Sequence, residues 1–266
     1  MINLTLFKKE FKSNYKLFVI FLAILIMYIV IIVMMFDPEL GNALDEMAKA
    51  MPQLMAAFGM VNSGNTLITF MASYLYGFIL TLLPLIYIIF LSIRLITQYV
   101  DNGSMSYLLA TPNSRKKLIT TQMVIMLLWV LVLYLSVIAV GIFSAQLMFP
   151  GDLDISRFLI LNLNLIVFMY AISGLCFMVA CSFDETKKVI GITTGISVMF
   201  YLIQMLTSMN ERLSGLKYFT IYTLFPYSDI ASGVTNGTWQ MIILFISGTM
   251  MFFIGRSVFI RRDLSI

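Results

Sequence analysis

The sequence predicts an all-α membrane protein with six transmembrane helices. Only 11% of its 266 residues are charged and 61% are apolar, whereas roughly a quarter of the residues of a soluble domain are charged. Such a chain cannot cover a water-facing surface, so it belongs in a lipid bilayer. Six apolar runs reach the ~20 residues that a spanning helix needs, namely 17–36, 67–93, 121–145, 158–180, 189–208 and 239–259. We expect residues 1–266 to form a single transmembrane domain built from these spans.

Lys and Arg are distributed unequally between the loops, and this predicts that both termini face the cytoplasm. Counted from an inner N-terminus, thirteen of these residues lie on the inner side and four on the outer side, in agreement with the positive-inside rule. The acidic residues have the opposite bias, so the net charge of +4 indicates a basic inner rim and no nucleic-acid partner. Six inner cations are expected at anionic lipid headgroups: Lys116, Lys117, Lys187, Lys188, Arg261 and Arg262.

The first element, between residues 4 and 15, has the pattern of an amphipathic helix. Apolar residues recur at three- and four-residue steps, and charged residues fall between them. The apolar set is Leu4, Phe7, Phe11 and Tyr15, and the charged set is Lys8, Lys9, Glu10 and Lys12. We expect this helix to lie on the inner face, with its charged side toward water, and to continue into the first span.

Two outer segments are amphiphilic. In residues 37–66, apolar residues recur at helical spacing from Leu44 to Phe58, which predicts a helix that lies on the outer leaflet or caps the bundle. Residues 209–238 are rich in aromatic side chains but are interrupted by Pro226. For this second segment, a partial re-entry into the membrane and an interfacial helix are both consistent with the pattern.

The second span contains Pro84, which lacks the backbone N–H that an α-helix requires. Transmembrane helices tolerate proline because neighbouring helices and waters can donate to the carbonyl that it leaves unbonded. We therefore expect Pro84 to lie inside a kinked helix and not at its end.

The longest inner segment, residues 94–120, predicts a short cytoplasmic helix. A turn at Asp101, Asn102 and Gly103 precedes it, and Ser104 is placed to cap a helix over residues 105–110. Thr111 ends the helix because a residue before proline avoids the helical conformation. Its apolar side consists of Met105, Leu108 and Leu109. Since this side has no evident core within the chain, we expect it to contact a groove on another protein or the bilayer surface.

No group of residues predicts a catalytic or cofactor site. The chain has no His, the commonest general base, and no P-loop for ATP. Cys176 and Cys181 are too few for a disulfide framework or a zinc site. No Asp or Glu lies within a predicted span, which argues against a proton antiporter or a cation channel gated by acidic residues. We expect that the chain is not itself an enzyme, and that Asn162 and Asn164 join helices.

Residues 101–115, DNGSMSYLLATPNSR, resemble the cytoplasmic segment of ABC-2 type transporter permeases. The family pattern is an acidic residue, then Gly and Ser or Thr, a Leu pair, and then Pro, Ser and Arg. The matching residues are Gly103, Ser104, Leu108, Leu109, Pro112, Ser114 and Arg115, with Asp101 where the family usually has a Glu farther from the glycine. Three more stretches resemble the family in the same order: MPQLMAAFG (51–59), YTLFPYSDIASG (222–233) and FIRRDL (259–264).

The resemblance implies a type V exporter-like permease with an N-terminal interface helix and a coupling helix between the second and third spans. The interface helix would include Phe7, Lys8, Phe11 and Lys12. Two permeases, identical or related, would pair and engage separate ATPase subunits, which bind ATP and Mg²⁺ in place of this chain. The residues expected to couple to the ATPase are Asp101, Gly103, Ser104, Met105, Leu108, Leu109, Pro112, Ser114 and Arg115. The implied location is the plasma membrane of a bacterium.

The spans favour an amphiphilic cargo. They lack buried charge, and the chain contains 21 Met and 22 Phe, which suit a surface that accepts varied apolar partners. We expect ATP-driven alternating access that moves an antimicrobial or other peptide, a lipid-like molecule or a drug out of the cell. Two alternatives are a stand-alone channel or secondary carrier, and a non-transporting scaffold or partner of a sensor.

Overall fold

The computed structural model describes residues 2–37, 50–51, 66–110, 114–209 and 211–262. In chain order, the helices of these ranges are α1 (Leu4–Met34), α2 (Leu67–Asp101), α3 (Ser104–Ala110), α4 (Arg115–Met148), α5 (Ile155–Ser182), α6 (Thr186–Met209), α7 (Tyr227–Ala231) and α8 (Thr238–Arg261). Two 3₁₀ segments, Glu211–Phe219 and Ile221–Leu224, lie between α6 and α7. Six helices, α1, α2, α4, α5, α6 and α8, are long and apolar enough to cross a membrane. This confirms the predicted all-α class with six spans.

α1 joins the predicted N-terminal amphipathic helix and the first span into one helix. Its 31 residues extend about 46 Å at 1.5 Å per residue, which exceeds the ~30 Å of the hydrocarbon core. The Asn3 side chain caps its first turn by accepting hydrogen bonds from the N–H groups of Thr5 and Leu6, both at 3.1 Å. The Asn3 N–H donates to Thr121 Oγ1 at 2.9 Å, so the start of α1 is bonded to α4.

α2 changes its helical geometry on both sides of Pro84. π-helical turns occur at Ala72–Ile79 and Ile93–Thr97, and the part between them is α-helical. Pro84 lies inside this α-helical part, as predicted, and cannot donate to the Leu80 carbonyl four residues earlier. The Tyr134 hydroxyl of α4 donates to that carbonyl at 3.1 Å. A side chain from a neighbouring span therefore replaces the hydrogen bond that the proline removes.

The core of the bundle is centred on α2 and α5. These two spans are the most buried, whereas α1, α6 and α8 leave most of their surface open to lipid or to another chain. α5 and α8 approach closely where glycines meet. A Cβ atom on Gly174 would lie 2.7 Å from the Gly248 carbonyl oxygen, and one on Gly255 would lie 2.8 Å from the Met178 Cα. Small residues allow such close backbone contact between helices in a membrane.

The outer segment before α8 forms short helical turns that pack on the bundle. Phe225 stacks on Phe168 of α5 with ring centroids 5.3 Å apart. The Asn164 amide of α5 donates to the Asn236 carbonyl at 3.1 Å, so this residue joins α5 to the loop before α8 and not to another helix. The Asn162 amide donates instead to a carbonyl of its own helix. None of the described turns in this segment is long enough to cross the bilayer.

Two predictions concern residues outside the described ranges. The greater part of the outer amphipathic helix, predicted from Leu44 to Phe58, belongs to this group. The second concerns Pro112, before which the sequence predicts that α3 ends.

Candidate functional site

α3 starts from a tight turn at one end of α2, which we call the inner end because the charge bias predicts that it faces the cytoplasm. Gly103 has a φ of +67°, which glycine adopts without steric cost. The Ser104 hydroxyl donates to the Tyr99 carbonyl at 3.3 Å, and the Ser106 hydroxyl donates to the Gly103 carbonyl at 2.6 Å. These hydrogen bonds fix the start of α3 against the end of α2. The helix covers Ser104–Ala110 and so starts one residue before the predicted one.

The apolar side of α3 packs on the bundle itself. Met105 is buried, Leu108 and Leu109 are half-buried against the hydrophobic core, and Met105 and Leu108 lie beside Phe259 of α8. The expectation that this side has no core within the chain is therefore wrong, because α4 and α8 supply one. Tyr107 lies on the opposite side of α3 and is 80% exposed. Of the described residues in α3, this aromatic ring is the most accessible to a partner.

The turn before α3 is also bonded to α6. The Asp101 carboxylate accepts a hydrogen bond at 3.3 Å from the backbone N–H of Thr186, the first residue of α6. The unbonded N–H groups and the dipole of a helix start favour such a carboxylate. The inner end of the second span is thus connected to the beginning of the fifth span.

A buried carboxylate connects the same end of α2 to α1. Glu10 is 2% exposed, and the Tyr99 hydroxyl donates to its Oε1 atom. The Lys9 ammonium donates to the Tyr99 hydroxyl at 3.2 Å and lies 5.3 Å from the centroid of the same ring. The Asn14 amide donates to the Glu10 carbonyl at 2.9 Å. A buried charge is stable only when it is paired or hydrogen-bonded, and Glu10 has such partners.

The expectation that Glu10 lies on the water-facing side of the N-terminal helix is wrong. The inward-facing residues of this part of α1 follow four-residue steps and are Leu6, Glu10, Asn14 and Phe18. Residues at this spacing share one face of a helix. The position of Glu10 and Asn14 between Leu6 and Phe18 is the signal in the sequence that could have identified the inward face.

The four residues predicted for the N-terminal interface helix lie on its more open side. Phe7 is half-buried, and Phe11 stacks on Trp129 of α4 with ring centroids 4.3 Å apart. Lys8 and Lys12 are exposed. Phe11 therefore contacts the bundle, while the two lysines are accessible to headgroups or to a partner protein.

Two arginines join the inner ends of three helices. The Arg262 guanidinium donates to the Cys181 carbonyl at the end of α5 at 2.9 Å and forms an ion pair with Asp184. Arg115 Nη1 donates to the Arg262 carbonyl at 2.9 Å. The structure therefore gives Arg262, predicted as a lipid anchor, bonds within the protein. The Ser114 hydroxyl accepts from a backbone N–H at 3.3 Å and caps α4.

The other predicted inner-rim cations lie at the surface. Lys188 forms an exposed ion pair with Glu185 at 2.5 Å. Lys117 is partly exposed, and Lys116, Lys187 and Arg261 are exposed. These side chains lie at the ends of α4, α6 and α8, where contacts with lipid headgroups are expected.

A groove lies between α2 and α6 within the spans. It has a volume of about 330 Å³, and aliphatic and aromatic side chains such as Leu85, Ile89 and Phe90 line one wall. The opposite wall includes Thr194 and Ser197. Ser197 Oγ is buried and has no hydrogen-bond partner among the described residues. An apolar groove with a few hydroxyl groups suits an elongated amphiphilic molecule.

The described part of the chain contains no cluster of three or more metal-ligating side chains. Cys176 and Cys181 are both buried and unbridged. The features assembled by the structure are therefore a surface beneath the bundle and a groove within it.

A family described as "ABC-2 family transporter protein" matches residues 4–264. No curated protein and no solved structure matches the chain.

Proposed function

The chain belongs to the ABC-2 family of transporter proteins and is the permease of an ABC transporter, and we propose that it exports an amphiphilic cargo. The proposed cargo is an antimicrobial or other peptide, a lipid-like molecule or a drug. Separate ATPase subunits would bind ATP and Mg²⁺, and two permeases, identical or related, would form the membrane part. The proposed location is a bacterial plasma membrane.

The observation that carries this proposal is the set of bonds around α3. The turn that precedes α3 is bonded to α1 through Tyr99 and Glu10 and to α6 through Asp101 and Thr186. An ATPase that contacts Tyr107 on the exposed side would displace α3 together with both of these spans. A short helix whose movement reaches two spans is what an ATP-driven permease requires.

The path from α3 to the groove is short. The Thr186 N–H at the start of α6 donates to Asp101, and Ile190, one helical turn later, lines the groove. A shift of the Asp101–Thr186 contact would therefore change the separation of α2 and α6 where the groove lies. In this proposal, ATP binding and hydrolysis open and close the groove to opposite sides of the membrane.

The groove supports an amphiphilic cargo over a charged or sugar cargo. Its described walls are apolar apart from hydroxyl groups such as those of Thr194 and Ser197. A charged group placed there would lose its hydration without gaining an ion pair. An apolar chain that carries a few hydrogen-bonding groups would lose little hydration on entering the groove.

The proposal is tested by co-expressing the chain with an ABC-type ATPase encoded beside it and purifying the complex in detergent. The complex is then placed in liposomes, and uptake of amphiphilic peptides is followed with ATP outside. A matched complex whose ATPase lacks the P-loop lysine is the control. We expect ATP-dependent uptake with the intact ATPase and none with the control.

The two alternatives give different results in the same experiment. Equal uptake in liposomes that contain the chain without an ATPase would indicate a channel or secondary carrier. A stable complex whose ATP hydrolysis does not respond to any peptide, and which moves none, would indicate a scaffold. Failure of every ABC-type ATPase to associate with the chain would contradict the proposed coupling.

A further inference from the structure

A second cavity lies at the inner ends of the first two spans, and polar side chains line it. Its volume is about 330 Å³. α1 contributes Lys9, Ser13 and Asn14, and the end of α2 with the following turn contributes Arg94, Gln98 and Ser104. Lys9, Ser13 and Gln98 are exposed, so the cavity opens to the surface at this end of the bundle.

Arg94 is the residue that points to a ligand. It is half-buried in the π-helical turn of α2, and its guanidinium makes no hydrogen bond to any described residue. π-helical turns are frequent at functional sites. A guanidinium has five N–H donors. That of Arg94 is attracted by the Glu10 carboxylate, and its donors remain available to a ligand in the cavity. The cavity beside it is large enough to hold an acceptor.

The charges around the cavity favour an anionic group. Lys9 and Arg94 supply two positive charges, and Glu10 supplies one negative charge. Glu10 lines the cavity, but it is 2% exposed and accepts from the Tyr99 hydroxyl, so its carboxylate is engaged by the protein and the two cations outnumber it. The remaining groups at the open side, including Ser13 and Gln98, are hydrogen-bond donors. Together they offer charge and several N–H and O–H groups to a single small anion.

We propose that this cavity binds a phosphate group, with Arg94 and Lys9 as its charged ligands. Arginine and lysine are the side chains that bind phosphate oxygens most often, and arginine can do so with two parallel hydrogen bonds. The position at the inner ends of two spans, next to the exposed Lys12 and Lys16, favours the phosphate of an inner-leaflet phospholipid. The same chemistry would accept a soluble phosphate compound.

The site is independent of the proposed export function, and it adjoins the coupling helix. Ser104, the first residue of α3, lines the cavity together with Asn102 of the preceding turn. A phosphate bound by Arg94 would lie beside these residues and restrain the turn from which α3 starts. Lipid composition would then affect the mobility of α3.

The test uses the full chain, purified in a phosphate-free detergent solution and analysed by native mass spectrometry. The probes are dioleoyl phosphatidylglycerol, dioleoylglycerol with the same tails and no phosphate, and inorganic phosphate. We expect retention of the phosphatidylglycerol and little retention of dioleoylglycerol. Arg94→Gln should bind the phospholipid about tenfold more weakly, since it loses charge-assisted hydrogen bonds. Arg261→Gln, which removes an exposed inner cation outside the cavity, is the matched control.

Each result decides the proposal. Equal retention of the two lipids, or equal phospholipid binding by wild type and Arg94→Gln, would overturn it. Binding of inorganic phosphate that Arg94→Gln abolishes, without phospholipid retention, would support a phosphate site filled from solution. If Arg94→Gln does not fold, Gln98→Ala at an exposed position of the cavity replaces it, and the comparison of the two lipids on the wild-type chain needs no variant.

Discussion

At the scale of single residues, two tyrosine hydroxyls donate hydrogen bonds to buried acceptors inside the bundle. The Leu80 carbonyl, left without an N–H partner by Pro84, accepts from the Tyr134 hydroxyl at 3.1 Å. Glu10 accepts from the Tyr99 hydroxyl in the same manner at the inner end of the bundle. In the bilayer core, no water is present to form a hydrogen bond with an unbonded backbone or side-chain polar group. These hydroxyls therefore contribute to stability out of proportion to their number.

Replacement of Tyr134 by Phe should destabilise the protein by about 1 kcal/mol, because the Leu80 carbonyl loses its donor. Thermal unfolding in detergent, followed by tryptophan fluorescence, measures the effect. Tyr28→Phe is the matched control, since Tyr28 lies on the exposed side of α1. In a Pro84→Ala background, residue 84 can donate to Leu80 again, so Tyr134→Phe should cost less. An equal cost in both backgrounds would show that the hydroxyl does not compensate for the proline.

At the scale of elements, one side of α3 faces the bundle and the other side faces away from it. Met105 and Leu108 pack against the bundle, and Tyr107 faces away from it. The resemblance to the family implies that the leucine pair contacts an ATPase. In the structure, the exposed large apolar side chain of α3 is Tyr107, the residue immediately before that pair. Substitutions at neighbouring positions of α3 should therefore affect folding and docking separately.

Leu108→Asp should destabilise the chain by more than about 2 kcal/mol, since it places a carboxylate against the core. Tyr107→Ala should leave unfolding unchanged within about 0.5 kcal/mol and weaken association with the ATPase. The readouts are the unfolding temperature of the purified chain and the amount of ATPase that co-purifies. Undiminished ATPase binding by Tyr107→Ala would exclude this ring from the docking surface.

The contact between α5 and α8 depends on the absence of side chains. A Cβ on Gly248 would lie 2.9 Å from the Ala171 Cα, and one on Gly174 would meet the Gly248 carbonyl. Because backbone atoms cannot shift like the end of a flexible side chain, even a methyl group would push the two helices apart. These glycines set the distance between the fourth and sixth spans.

Gly248→Ala should therefore lower the stability by roughly 1–3 kcal/mol through overpacking. Gly191→Ala on α6 is the control, because a Cβ there has open space around it. That control should be neutral or stabilising by up to about 1 kcal/mol, given the higher helix propensity of Ala. Unfolding of both variants in the same detergent gives the comparison. Equal stability of Gly248→Ala and wild type would show that α5 and α8 can separate at no cost.

At the scale of the whole molecule, the inner ends of the helices form one connected layer. Arg115 and Arg262 join the ends of α4, α5 and α8, and Tyr99 and Asp101 connect the end of α2 to α1 and α6. All six spans are thus represented in this layer. A partner that binds beneath it would act on the bundle as a unit, and the charge distribution predicts that this side faces the cytoplasm.

The predicted orientation can be measured by cysteine labelling. Val234, between α7 and α8, is 78% exposed, and Tyr107 on α3 is 80% exposed. A membrane-impermeant maleimide should label Val234→Cys in intact cells and Tyr107→Cys only after permeabilisation. The wild-type chain is the control, because both of its cysteines are buried. Labelling of Tyr107→Cys in intact cells would reverse the topology.

The sequence by itself determined the class of the protein, its spans and its family. Apolar runs, the bias of Lys and Arg and the motif around Gly103 are local or additive features, so they can be read without knowing which residues meet. The position of α3 follows from the same kind of signal, since the turn at Gly103 and the Thr-Pro pair are both close to it in the chain. The prediction that Ser104 caps the helix is wrong, because Ser104 is its first residue and its hydroxyl donates to the Tyr99 carbonyl.

Only the tertiary structure decided the direction in which individual side chains point. Leu108 and Leu109 were expected to be unpartnered because the sequence does not show that α3 folds back on α4, the next helix, or that Phe259 of α8 lies beside it. Glu10 appeared to face water because its acceptor role depends on Tyr99, 89 residues later. The cavity around Arg94 and the groove along α6 arise in the same way. Each is a space between two helices, and hydrophobic periodicity within one helix does not contain the identity of its neighbour.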